Sequence, residues 1–300
     1  MKFHRISTFV LIYFGTALAF SPFANAATFE TNFTQSLTGT DASKGDIWLN
    51  SITQNKTKFN NFSFIKKADI LYNTPITNVQ AGSTSTPGNK NNNTGAASTD
   101  KGDKASAPLP VSGLKNPTGA EIAAFLGNKN LNNIIDTEDD GSFQINLFFD
   151  SSIQKDNSEL DNLFFWERGM NSNLGIQAID STGKLIGNSL QLNSQDQKYA
   201  GYSIDTTEID GAQKVGSWGV QLKQLGVTSL SGIQITTNAK NNGPDFKVIA
   251  RNGPAYYQTP QPAPKKVPEP NTAAALGLFA VGALRVVKKK SLMTATLPRG

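Results

Sequence analysis

Between Ala27 and about Pro254 the chain is cut into short runs rich in β-branched and aromatic residues, separated by clusters of Gly, Asn, Ser and Asp. Runs of this kind are too short for long helices and suit strands of a half-buried or fully buried sheet. Thr28 to Leu37, Asp46 to Ile52, Phe59 to Ile65, Phe143 to Phe149 and Asn162 to Glu167 carry the pattern most clearly. Leu174 to Ile179, Lys184 to Leu192 and Tyr199 to Ile204 carry it more weakly, and Trp218 to Leu222 and Ser231 to Thr236 add two strands joined around Leu225-Gly226-Val227. Ser181-Thr182-Gly183-Lys184 reads as the turn of a hairpin. The expectation is an all-β fold, a β-sandwich or jelly-roll-like domain.

One short helix interrupts the pattern. Thr118-Gly119-Ala120-Glu121 is a capping box, in which the Thr hydroxyl accepts an amide and the Glu carboxylate reaches back. Ile122, Phe125 and Leu126 give it one apolar face, and Gly127 is expected to end it in a left-handed conformation. Such a helix would cover an edge or an end of the sheets.

Residues 81–110 are Ser, Thr, Gly, Asn, Pro and Lys with hardly a large apolar side chain, a composition that cannot offset the entropy of ordering it. They are expected to form a loop between residues 27–80, the first strands, and residues 111–251, the remainder of the sandwich. Residues 252–266 contain Pro254, Pro260, Pro262 and Pro264 and read as an extended stalk.

The chain has no cysteine, and its one histidine is His4. Any fold must therefore hold without disulfides. A Ser-His-Asp triad, a thiol nucleophile and a His/Cys zinc or copper site are excluded from the body. The formal charge of +5 is misplaced as a clue, because the region from Ala27 to Pro268 holds 21 basic and 22 acidic residues. A near-neutral body lacks the electrostatic footprint of a nucleic-acid binder.

The ends carry the basic excess. Lys2 and Arg5 precede the apolar run Phe9 to Phe20 and Ala24-Asn25-Ala26, which has the form of a signal peptide (residues 1–26) cleaved before Ala27. Sec-type export machinery and signal peptidase are the partners this implies. At the other end Val267-Pro268-Glu269-Pro270 leads into an apolar stretch, Thr272 to Leu284, closed by Arg285 and Lys288-Lys289-Lys290. Thirteen helical residues reach about 20 Å against roughly 30 Å of hydrocarbon. Extension from Pro270 to Val287, with Arg285 snorkelling, brings the helix close to spanning. The lysines would hold the cytoplasmic side, with residues 291–300 as a short tail and the body outside.

This order of parts, residues 267–290, resembles the PEP-CTERM sorting signal recognised by exosortases. The resemblance implies a transmembrane helix that holds the protein transiently in the inner membrane. It also implies an exosortase-like transpeptidase acting at or near Pro268-Glu269-Pro270, and delivery to the cell surface or extracellular matrix. The body is similar to a cyanobacterial exosortase-dependent surface protein family through Asp136 to Phe149, Asn162 to Gly169, Asn173 to Asp180 and Asn242 to Val248. That family carries no activity to transfer, so the implied role is non-enzymatic.

Three chemical readings stand beside this one. Asp136, Glu138 and Asp140, followed by Gly141 and the Ser142 carbonyl, have the spacing of the first half of a calcium loop. Leu147 stands where a bidentate glutamate would complete it, which favours a solvated acidic turn. No other cofactor is implied. Trp48, Trp166 and Trp218, with Tyr202 and Phe246, could offer stacking platforms to a surface polysaccharide, Trp166 and Trp218 foremost, making the domain a carbohydrate-binding module, although a disulfide-free sandwich needs such rings inside. Third, Glu167 paired with Asp136, Glu138 or Asp180 could serve a glycoside hydrolase, a reaction that needs two carboxyls at a fixed separation.

Overall fold

The computed structural model describes residues 29–75, 97–109, 116–139, 141–206 and 211–253. All belong to the first of two compact units, Met1–Ala255. The expected signal peptide, the sorting segment and nearly all of the stalk lie outside the described residues, among which no helix is long and apolar enough to cross a membrane.

The described chain is mostly strand: β1 (Phe29–Gln35), β2 (Ile47–Gln54), β3 (Thr57–Phe59), β4 (Phe62–Ser63), β5 (Ile65–Asn73), β6 (Ala97–Lys101), α1 (Gly119–Leu126), β7 (Asn133–Thr137), β8 (Phe143–Gln154), β9 (Leu163–Arg168), β10 (Leu174–Ile179), β11 (Leu185–Leu192), β12 (Lys198–Ile204), β13 (Gln213–Val220), β14 (Ser229–Thr237) and β15 (Asp245–Arg251). They build three sheets. A small sheet runs β1-β2-β3, a five-stranded sheet β11-β10-β14-β8-β5, and a third sheet β12-β13-β9-β15-β7-β6 with β4 beside β15.

The third sheet is the middle layer of a sandwich-like stack. Successive residues of a strand point to opposite faces, and β9 shows both faces filled. Leu163 and Phe165 join Ile145, Leu147, Ile176, Ile233, Trp218 and Val248 in one apolar interior, against the five-stranded sheet. Phe164 and Trp166 join Phe29, Ile47, Leu49, Ile52 and Ile249 in a second, against β1 and β2. Two interiors supply the burial that a cysteine-free chain requires.

The run Phe59 to Ile65, expected as one strand, is three. β3 ends in the small sheet, β4 pairs Ser63 and Phe62 with Ala250 and Arg251 of the middle sheet, and β5 begins against β8 in the five-stranded sheet. The chain thus steps through all three layers, burying Phe59, Phe62 and Ile65 in turn. Asn55 and Lys56, both at positive φ (50° and 65°), make the two-residue turn between β2 and β3, the form whose twist matches a hairpin.

The expected loop 81–110 is corrected in its second half. β6 pairs along its length with β7, and Thr99, Asp100, Lys101 and Ala105 are buried. Its polar sequence is ordered by its partner strand rather than by apolar content.

The helix forms where the capping box places it: Glu121 N donates to Thr118 Oγ1, and Thr118 N donates to Glu121 Oε2 at 2.6 Å. Its end differs from expectation. Gly127 has φ −82°, not left-handed, and is needed because a Cβ there would lie 2.6 Å from the Ile65 carbonyl oxygen. Asn128 closes the last turn by donating from Nδ2 to Ala124 O and Phe125 O. The helix packs Ile122, Ala123 and Leu126 into the first interior, beside β5 and β7.

Candidate functional site

Of the residues singled out in the sequence, Ala24, Ala26, Ala27, Val267, Pro268, Glu269, Pro270, Arg285, Lys288, Lys289, Lys290 and Asp140 lie outside the described residues. The others have definite places, and most are interior.

Trp166 and Trp218 are 1% and 0% exposed, and Tyr202 and Phe246 are buried as well, so none of the four offers a face to a sugar and the platform reading is corrected for them; Trp48 is 41% exposed. Both indole N–H groups are satisfied inside, Trp166 Nε1 by Thr31 Oγ1 at 2.9 Å and Trp218 Nε1 by the Asn193 carbonyl at 2.8 Å. With that partner a tryptophan can be buried without loss.

Asp136 lies on β7, not in a loop, and faces Arg168. The guanidinium Nη2 donates to Asp136 Oδ1 at 3.0 Å and to Asp245 Oδ2 at 2.7 Å, Nε donates to the same Asp245 oxygen, and Nη1 donates to Thr206 Oγ1. Strand register produces this row, because Asp245 stands opposite Arg168 and Phe246 opposite Ile135. Burial, then the charge of Asp136, pushes Asp245 well above the ordinary carboxylate range. Asp100 is raised to about 6 for the same two reasons in the same order. Carboxyls gathered around one cation raise one another's pKa values. The acidic segment therefore loses its first candidate calcium ligand to an ion pair, and no group of three or more His, Cys, Asp or Glu among the described residues is placed to hold a metal.

Lys247 and Arg251 continue the row on the same face of β15. Lys247 is fully buried and donates from Nζ to Phe125 O at 2.6 Å and Asn128 Oδ1 at 3.3 Å, a cation at the negative end of α1. Burial lowers its pKa well below the usual value. Arg251 donates to both Asp156 carboxylate oxygens and to Asp161 O.

Glu167 points the other way, into the first interior. It is wholly buried, accepts from Gln197 Nε2 at 2.9 Å, and its pKa is raised to about 8 by burial, partly offset by hydrogen bonds from Gln197 and Ser172. Asp136 is on the opposite face of the same sheet, and Asp180 lies in the β10–β11 turn, where its Oδ1 accepts from the amides of Thr182 and Lys184. These carboxyls do not converge on a common space.

The outer face of the five-stranded sheet is an ordered polar surface. Register aligns Ser189, Gln177, Gln234, Asn146 and Asp69 in one row across β11-β10-β14-β8-β5, and Gln191, Gly175, Thr236, Gln144 and Tyr72 in the next. The amides are chained: Gln144 Nε2 donates to Gln234 Oε1 at 2.7 Å, Gln234 Nε2 to Asn146 Oδ1 at 2.9 Å, and Asn146 Nδ2 to Gly183 O. Gln177 Nε2 donates to Gly187 O at 3.2 Å. Between β10, β11 and β14 the face sinks into a depression of about 230 Å³, lined by Gly175, Gln177, Ser189, Gln191, Gln234 and Thr236. Gly175 makes the floor, since a Cβ there would come within 2.5 Å of Thr236 Oγ1.

Sequence reasoning missed this face. Its signal was the alternation of Gln or Asn with buried Ile, Leu or Ala at Gln144 to Leu147, Ile176 to Ala178 and Ile233 to Ile235, which in any single strand looks like an ordinary solvated side.

No family model matches the chain, and neither does any curated protein or solved structure. Fold and site together define a mostly β, sandwich-like body with committed internal charges and one patterned polar face.

Proposed function

We propose that this is an exported, non-enzymatic surface or extracellular-matrix protein, delivered by an exosortase-like transpeptidase after transient retention by its C-terminal helix. The observation that carries the reading is the ordered series Val267-Pro268-Glu269-Pro270, apolar run, Arg285 and Lys288 to Lys290, together with residues 1–26, whose sequence has the form of a cleavable signal. The body is consistent with that role. It replaces disulfides with two apolar interiors and a layer of buried ion pairs, and its strongly perturbed carboxyls serve neighbouring side chains rather than an open cleft.

The test is replacement of Pro268, Glu269 and Pro270 by alanine. Membrane insertion should persist, because the apolar run and the lysines are intact, while release to the surface or medium stops. Unchanged release would remove the exosortase route.

A further inference from the structure

We propose that the outer face of the five-stranded sheet is a binding track for a neutral polysaccharide, seated in the depression beside Gly175 and running across the strands to Tyr72. This goes beyond the export reading and rests on it only for where the glycan would be met.

The lining selects the ligand class. Gln177, Gln191, Gln234, Ser189 and Thr236 carry no charge, so an anion finds no cation and a cation no carboxylate. An amide carries both donors and an acceptor, and a hydroxyl does both, which is the complement of a sugar hydroxyl; Gln177, Gln191 and Ser189 are the half-exposed or exposed members that a ligand meets. Lys67 and Asp69 of β5, on the same face, are 2.7 Å apart and offset one another. An apolar ligand fits poorly, because Ile176 and Leu190 of the lining are 2% and 3% exposed and turn inward.

The face is also prepared in advance. Gln234 is 6% exposed and held at both ends of its amide by Gln144 and Asn146. Fixed polar groups lose less freedom on binding than mobile ones. The second row ends at Tyr72, which is 55% exposed and is one of the few large rings on the described surface. At about 4.8 Å between neighbouring strands, Gln191 to Tyr72 spans roughly 19 Å, long enough for several sugar residues in a line. The depression is smaller than the roughly 300–1,000 Å³ of pockets for drug-sized ligands, so it takes one ring at a time. A few net-weak hydrogen bonds per ring then give a weak site, strengthened along a polymer.

The test uses the full chain purified in mild detergent. It is run through native gels containing dextran, hydroxyethyl cellulose, galactomannan or, as the charged comparison, alginate. At least one neutral polymer should retard it, and retardation should survive 0.5 M salt, where screening removes ionic attraction. Gln177→Ala with Gln191→Ala, and separately Tyr72→Ala, should weaken retardation about three- to tenfold. All three positions are half-exposed or exposed, so the variants should melt with the parent protein; Gln191→Ala alone is the reserve if the pair does not. Retardation by alginate only, retardation unmoved by these substitutions, or none by any neutral polymer would overturn the site. A protein that fails here yet is still released at Pro268 to Pro270 loses the track and keeps its export route.

Discussion

Glu167→Gln should stabilise this protein at high pH and leave it nearly unchanged at low pH. The buried carboxyl has its pKa raised from 4.5 to about 8, first by burial and against hydrogen bonds from Gln197 and Ser172. Below about 4.5 it is protonated whether the chain is folded or not. Between 4.5 and about 8 the unfolded chain releases the proton while the folded protein keeps it, so the group's contribution to stability falls as pH rises and is lost by the folded value. At about 1.4 kcal/mol per factor of ten in proton affinity, the full loss is about 5 kcal/mol. Gln has the same shape, still offers an oxygen to Gln197 Nε2, and does not titrate. Denaturant unfolding of both proteins from pH 5 to pH 9 gives the difference directly, and the other raised carboxyls, Asp245 and, near 6, Asp100 and Asp161, cancel in it. The variant should gain on the parent by several kcal/mol across this range, about 10 °C or more in melting temperature for a domain of this size. A difference independent of pH would refute the reasoning.

Other perturbations have equally definite outcomes. Arg168→Met strands Asp136 and Asp245 in the interior without their cation, and denaturant unfolding at neutral pH should show a loss of about 3–5 kcal/mol; a loss under 1 kcal/mol would mean the carboxyls simply take up protons. Thr118→Ala removes the hydroxyl that caps α1 and should cost about 1 kcal/mol by the same measurement. Because Asp136 is committed to Arg168, millimolar calcium or its chelation should leave the melting temperature unchanged, and a shift of several degrees would restore the acidic segment as a site.

Sequence made most strands readable, and those of the middle layer unevenly. β10 coincides with the expected Leu174 to Ile179, and β1 and β11 overlap their expected runs closely, because alternation survives where one face meets water; β9, buried on both faces, was legible from its apolar run, and β8 runs on to Gln154, past the expected Phe149. β15 did not stand out, since Asp245-Phe246-Lys247-Val248-Ile249-Ala250-Arg251 mixes charge with apolar residues. All seven are buried, and the charges are tolerable only because β7, β9 and α1 bring partners from far along the chain. β6 was hidden for the same reason: its order comes from β7. Trp166 was legible as a core residue from its strand context, following Phe164 and Phe165. The amide rows were not, because a row exists only once the register of five strands is known.

Intact mass with C-terminal peptide mapping, on membrane and surface fractions separately, shows where the chain goes and where it is cut. Protein recovered from the outer surface or medium should begin at Ala27 and end near Pro268, while the membrane fraction retains Arg285 and Lys288 to Lys290. A surface form with the complete C-terminus, or a protein found only uncleaved in the membrane, would contradict the account.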